Sequence, residues 1–246
     1  SLKDESGLLP SLRIVQEPRG LDLIRKATAA TGQGHLAAMK AVRPGMTEGE
    51  LKAIMETAFR AAGGTGLSYD SIVGTGRNAA SLHYTHGGGV IGANDLILID
   101  AAASVGGYAS DITRTFPASG TFTPRQRADY DLVLAAQAAA VAKLKAGDYY
   151  EDLQEAAKDV FRKVGRIDDF YHGLGHFVGL DVHDPGDYMK PLPAGSVITM
   201  EPGLYVQSQN YGIRIEDLYL VTATGNERLS EGIPRTVAEI EAAMAR

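Results

Sequence analysis

Apolar positions recur along this chain with two distinct periods. In LDLIRKATAATGQGHLAAMKAV (21–42) the spacing is helical, although Gly32 and Gly34 weaken the middle of the segment. Thr47 and Glu50 form a capping-box signature for a second helix, which reaches about Ala62 and stops at Gly63 and Gly64. Thr123 and Pro124 open an alanine-rich third helix expected to run to Gly147, with proline in its favoured first position. A fourth helix covers about 150–164 and ends at Gly165, and Thr236 with Glu239 caps a short one near the C-terminus.

Elsewhere the period falls to two. SYDSIVGT (68–75), DLILIDAAA (95–103), YASDITRTF (108–116), SVITMEPGLYV (196–206) and IRIEDLYLV (213–221) are rich in β-branched and aromatic residues and read as strands. Runs of strands follow runs of helices rather than alternating singly with them. That order predicts an α+β fold with a largely antiparallel sheet.

Composition narrows the function classes. Of the 246 residues, 44% are hydrophobic and 22% charged, as in an ordinary globular chain. No low-complexity linker interrupts them, so residues 21–246 read as one domain and residues 1–20 as an N-terminal tail. The net charge of −6 argues against nucleic acid or an anionic membrane as partner. With no cysteine, disulfides, thiolate metal sites and a cysteine nucleophile are excluded. No apolar run approaches the roughly 18 residues needed to cross a bilayer, and SLKDESGLLP has no signal-like apolar region. A cytoplasmic location is the expectation.

Charge sits in unexpected places on the strands. Asp100 ends LILID, Asp111 lies in the next strand, Glu201 ends VITME and Glu216 sits inside IRIED. A single acid of this kind is ordinarily a turn or exposed position, but several in buried-looking strands must be paired or bound to a cation. Half of the six histidines, His172, His176 and His183, fall in HGLGHFVGLDVHD (172–184), interleaved with glycines. Four carboxylates and one imidazole form a hard, oxygen-rich donor set. It suits Mn, Co, Fe or Zn in a two-metal site better than a tetrahedral structural zinc. One histidine then reads as a ligand and the others as substrate contacts. Alternation along IRIED puts Arg214 and Glu216 on one face, so Arg214 reads as a group that orients the glutamate.

NAASLHY (78–84), LILIDAAASVGGYASDITRTFP (96–117), HGLGHFVGLDVHD, ITMEPGLY (198–205) and GIRIEDLYLVT (212–222) occur in this order with family-like spacing. On these segments the chain resembles the catalytic domain of the pita-bread metallopeptidases, on the aminopeptidase P and prolidase branch. The ending IPRTVAEIEAAM (233–244) is most similar to aminopeptidase P. The resemblance implies a curved, mostly antiparallel sheet covered by helices. It implies that Asp111 and Glu216 bridge two divalent metal ions, that Asp100 completes one site, and that His176 and Glu201 complete the other. Manganese is implied first, with cobalt or zinc as alternatives. His183 and His172 would contact the substrate, His83 would lie near its N-terminal side or the leaving group, and Tyr205 would form pocket wall. Glu201 would shuttle the proton. The implied reaction is hydrolysis of the bond between an N-terminal residue and proline, with proline-containing peptides as partners and room for a homodimer.

A prolidase acting on X-Pro dipeptides is the closest rival reading. Methionine aminopeptidase, with the same fold and ligand types, and a non-catalytic peptide-binding protein on that fold come after it. GTGRNA (74–79) matches a dinucleotide-binding pattern, but no amphipathic helix follows to carry a phosphate site. Relatives on this branch carry a further domain before the segment matched by LDLIRKAT, so residues 1–20 read as a remnant of that linker. Leu218 stands where a second acid is frequent and is expected, by strand parity, on the metal face.

Overall fold

The computed structural model describes residues 8–245. Helices α1 (Leu8–Arg13), α2 (Pro18–Ala41) and α3 (Glu48–Ala61) come first. Proline in the first turn starts α2, and the expected Thr47–Glu50 capping box starts α3. Gly32 and Gly34 do not interrupt α2. A Cβ at Gly34 would lie 2.1 Å from the Phe59 ring, and one at Gly32 would lie 2.9 Å from Ile233. Bare backbone at these positions lets α3 and the C-terminal segment pack closely on α2, which offsets a propensity cost of about 1 kcal/mol per glycine.

Helices α4 (Pro124–Val141) and α5 (Tyr150–Lys163) pack as a second pair, and α6 (Val237–Met244) starts at a Thr236–Glu239 capping box. Helix α4 ends short of the expected Gly147. The Asn226 amide donates to the carbonyls of Val141 at 3.1 Å and Leu144 at 2.9 Å, and the Ala146 N–H turns away to Thr222.

The strands are β1 (Gly66–Leu67), β2 (Ile72–Thr75), β3 (Leu96–Asp100), β4 (Ala103–Ser104), β5 (Thr113–Pro117), β6 (Val197–Met200), β7 (Gly203–Val206), β8 (Tyr211–Arg214), β9 (Asp217–Val221) and β10 (Asn226–Arg228). They form the ladders β1–β4, β2–β3–β5, β10–β9–β6 and β7–β8, with every pair antiparallel. The long strands expected at 196–206 and 213–221 are each broken in two, at Glu201-Pro202 and at Ile215-Glu216. At the breaks the Glu201 N–H leaves for Leu174 and the Glu216 N–H for Thr113. The strand expected from 108 begins only at Thr113, because Val105 and Tyr108 close a tight turn on each other.

Alternation sorts the two faces. Ile97, Ile99, Phe116, Ile198, Met200, Ile213 and Ile215 join the large apolar core shared with α2 to α6. Leu98 points the other way, toward Ala79 and Tyr205, and Asp100 follows it by parity. Leu218 pairs in register with Thr199 but is packed against Ile24, Ala109, Val178 and Val197. Thr199 donates to Glu201, so its register partner Leu218 lies on the face of Glu201, as parity predicts, but it does not line the cavity there.

Within the segment read as a tail, residues 1–7 lie outside the described residues, whereas α1 is helical and α2 starts at Pro18 rather than Leu21. A six-residue helix carries too little period to be read from sequence.

Candidate metal centre

The four acids reach one place because each sits where a ladder ends. Asp100 is the last residue of β3, Asp111 precedes β5, Glu201 follows β6 and Glu216 precedes β9. With His176 they line a cavity of about 500 Å³. Oxygen and nitrogen atoms of Asp111, His176 and Glu216 lie within 4.8 Å of one another, close enough to share an ion. His176 Nε2 stands 3.3 Å from Asp111 and 3.5 Å from Glu201.

Hydrogen bonds fix these groups from outside. His176 donates from Nδ1 to the Phe177 carbonyl at 3.1 Å, which leaves Nε2 directed at the acids. Thr113 donates to Glu216 at 2.6 Å, and Thr199 donates to Glu201 at 3.3 Å. The expectation that Arg214 orients Glu216 by a direct bond is corrected: its guanidinium donates to Asp100 at 2.6 Å and to the Tyr205 hydroxyl at 2.8 Å, and it meets Glu216 only through Thr113, whose hydroxyl accepts from Arg214 Nε at 3.2 Å and donates to Glu216. Arg214 and Glu216 share a face, as the alternation predicts, but the strand break between them turns the arginine toward β3.

Tyr69 was not found from sequence. Its hydroxyl reaches Asp100 at 2.5 Å and also bonds Asp111. In SYDSIVGT it looks like any strand tyrosine, and only the pairing across space shows that it joins two acids.

The electrostatics follow from burial. Burial raises the pKa of Asp111 and, with the charges of Asp111, Glu201 and Asp100, raises that of Glu216 well above the carboxylate range. Glu201 is pushed up to about 7, chiefly by burial and against the attraction of His176 and Arg214. Burial would lower His176, but the Asp111 hydrogen bond and the Asp111 and Glu201 charges overcome it and raise the group to about 9. Crowded acids and a proton-hungry imidazole are the signature of a site that prefers a multivalent cation.

His83, His172 and His183 line the same cavity. His183 stands perpendicular to His176, with ring centroids 4.2 Å apart. His172 donates from Nδ1 to the Gly173 carbonyl at 2.8 Å, so its Nε2 accepts from the Tyr205 hydroxyl at 2.9 Å. Arg214, Tyr205 and His172 thus form a chain of hydrogen bonds, and His172 presents a ring face rather than a free N–H. Burial, then Arg214, lowers its pKa to about 4.

Two segments brace the loops. The carboxylate of Asp184, next to His183, accepts from the Asp181 N–H at 3.0 Å and from Arg13 at the end of α1. Arg13 also binds Asp181 at 2.7 Å, and Gln16 donates to the Val178 carbonyl at 3.3 Å. In the GTGRNA loop a short 3-10 helix follows, not an α-helix. The buried Glu48 carboxylate accepts from the N–H groups of Thr75 and Gly89 and from Asn78, so an internal anion satisfies donors that a phosphate would need.

Comparison with known proteins agrees with this arrangement. The chain is 37% identical to the Xaa-Pro aminopeptidase of Haemophilus influenzae, over 95% of this chain and 61% of that protein. It is 35% identical to the mitochondrial intermediate cleaving peptidase 55 of Arabidopsis thaliana, over 98% of this chain and 53% of that protein. Among solved structures, aminopeptidase PepP of Pseudomonas aeruginosa superposes with a TM-score of 0.92 at 38% identity, over 98% of this chain and 62% of that one. Zinc-substituted Escherichia coli aminopeptidase P in complex with product gives a TM-score of 0.90 at 35% identity, over 96% of this chain and 61% of that one. The chain therefore spans about 60% of the length of these bacterial relatives and has their pita-bread fold. The model of metallopeptidase family M24 matches residues 22–223, and the chain belongs to that family.

Proposed function

We propose that this chain is the catalytic portion of an X-Pro aminopeptidase, which uses two divalent metal ions to hydrolyse the bond between an N-terminal residue and proline. The observation that carries this reading is the convergence of Asp100, Asp111, His176, Glu201 and Glu216 on a cavity that also holds His83, His172 and His183. The name Xaa-Pro aminopeptidase borne by similar chains supports the substrate class.

The donor set fits the metals. Hard carboxylate oxygens with one imidazole suit manganese first, and cobalt or zinc after it. Asp100, Asp111, His176, Glu201 and Glu216 would hold the ions, with Asp111, His176 and Glu216 close enough to share one. When bound, the ions would lower the pKa of a water molecule and polarise the scissile carbonyl.

The protein's own groups supply the rest. Glu201, at the end of β6 beside His176, would take a proton and pass it to the departing proline nitrogen. His183 faces the cavity beside the acids, where an imidazole N–H would stabilise the developing oxyanion. His172, held by Tyr205, and His83 shape the wall against which the peptide lies.

The test is direct. Chelator-treated protein is given back Mn, Co or Zn, and release of the N-terminal residue is measured from X-Pro and X-Pro-Y. Cleavage of the tripeptide is the expected result, and cleavage of the dipeptide alone would move the assignment to prolidase. Metal binding with neither peptide cut would sink the proposal.

A further inference from the structure

Behind the sheet, on the face away from the cavity, lies a buried polar network that the reaction does not touch. Gln137 of α4 is fully buried, and its Nε2 is directed at the carbonyls of Met200 at 2.9 Å and Ile215 at 3.2 Å, and at Asp217 at 3.1 Å. Arg114 of β5 is also fully buried. It donates to the carbonyls of Thr113 at 2.9 Å, Glu216 at 2.6 Å and Pro234 at 2.7 Å, and to Asp217 at 2.6 Å. Met200 precedes Glu201, and Ile215 and Glu216 form the second strand break. The pattern recurs at Asp100, where buried His35 of α2 donates from Nε2 to the carbonyl of Ala101 at 3.0 Å.

A side chain that only satisfied stray carbonyls could bond them anywhere in the core. These two instead grip the main chain at both places where a strand is interrupted to aim a carboxylate across the sheet. We propose that Gln137 and Arg114 are positioning residues, which fix the backbone at 200 and at 215–216 and thereby preset Glu201 and Glu216 for the cation. The inference rests on the reading of those acids as metal ligands.

The test compares Gln137→Leu, Arg114→Lys and a control, Leu51→Ala, in which a fully buried apolar side chain of α3, a helix with no part in the network, is truncated. Lysine keeps a charge beside Asp217 but cannot span the carbonyls as a guanidinium does. Mn²⁺ is titrated calorimetrically into each chelator-treated protein, at a temperature where circular dichroism shows it folded. Both network variants are expected to bind Mn²⁺ roughly 10- to 100-fold more weakly than the parent, while the control loses thermal stability and keeps its affinity. Parental affinity in the folded network variants would overturn the proposal, as would an equal loss in the control. If Gln137→Leu does not fold, Arg114→Lys decides alone. If the parent binds Mn²⁺ but cuts no X-Pro peptide, the activity assignment fails and this test still reads. If the parent binds no Mn²⁺, both fail together.

Discussion

At the scale of single residues, burial decides which groups do chemistry. Glu201 is proposed both to hold a metal ion and to move the proton, so Glu201→Ala should abolish turnover with the circular dichroism spectrum unchanged. Activity within a few-fold of the parent would refute its role. Among the described residues His183 forms no hydrogen bond or ion pair with a carboxylate, and its ring stacks edge-on against His176. His183→Ala is therefore expected to lower kcat by roughly 100-fold or more while leaving the bound-metal content unchanged, which elemental analysis would check. His35 is a different case. Its ring is fully buried and its pKa falls to about 4, first through burial and then through Arg114. As pH drops from about 6.5 to about 4, the unfolded chain takes up a proton that the folded chain refuses, so stability is lost over that window by up to roughly 3 kcal/mol. His35→Gln keeps an N–H donor without the titration. Its urea-unfolding free energy should gain on the parent's between pH 7 and pH 4.5, and an unchanged gap would contradict the assignment.

At the scale of elements, the sequence was legible where local chemistry acts alone. The helix starts read at Thr47, Thr123 and Thr236 all form, and the structure shows a capping box at each, which needs only residues three apart. The acids stand out for a related reason, because charged groups in strand-like runs violate the pattern around them, and three histidines stand out because they cluster among glycines in 172–184. What could not be read depends on distant partners. The breaks at Glu201-Pro202 and Ile215-Glu216 arise because their N–H groups bond Leu174 and Thr113, far away in sequence. Strand parity points Arg214 at Glu216, but its direct bond is to Asp100 and it meets Glu216 only through Thr113, while Tyr69 shows its importance only across two strands. The glycines of α2 were read as weak points and are close-packing points. Gly34→Ala would drive a methyl into Phe59. It is expected to cost about 1–3 kcal/mol in thermal unfolding, although alanine is the better helix former.

At the scale of the whole molecule, the site couples the two halves of the chain. Asp100 and Asp111 come from the first half, and His176, Glu201 and Glu216 from the second. A cation that binds only when both halves are in place should stabilise the entire fold. Mn²⁺ at 100 times its dissociation constant should raise the unfolding free energy by about 2.7 kcal/mol, read as a concentration-dependent rise in Tm that a chelator reverses. The brace from Arg13 to Asp184 carries this coupling to its extreme, because the partners are 171 residues apart. Closing a flexible loop of that size costs on the order of 4–5 kcal/mol in chain entropy, more than an ion pair partly open to solvent returns. The brace can therefore hold only after the sheet has already brought the two segments together. In kinetic terms it belongs to the last stage of folding and the first stage of unfolding. The loop bearing His183 should lose its amide protection against hydrogen exchange before the helix–sheet core does, so catalytic competence would be gained last and lost first.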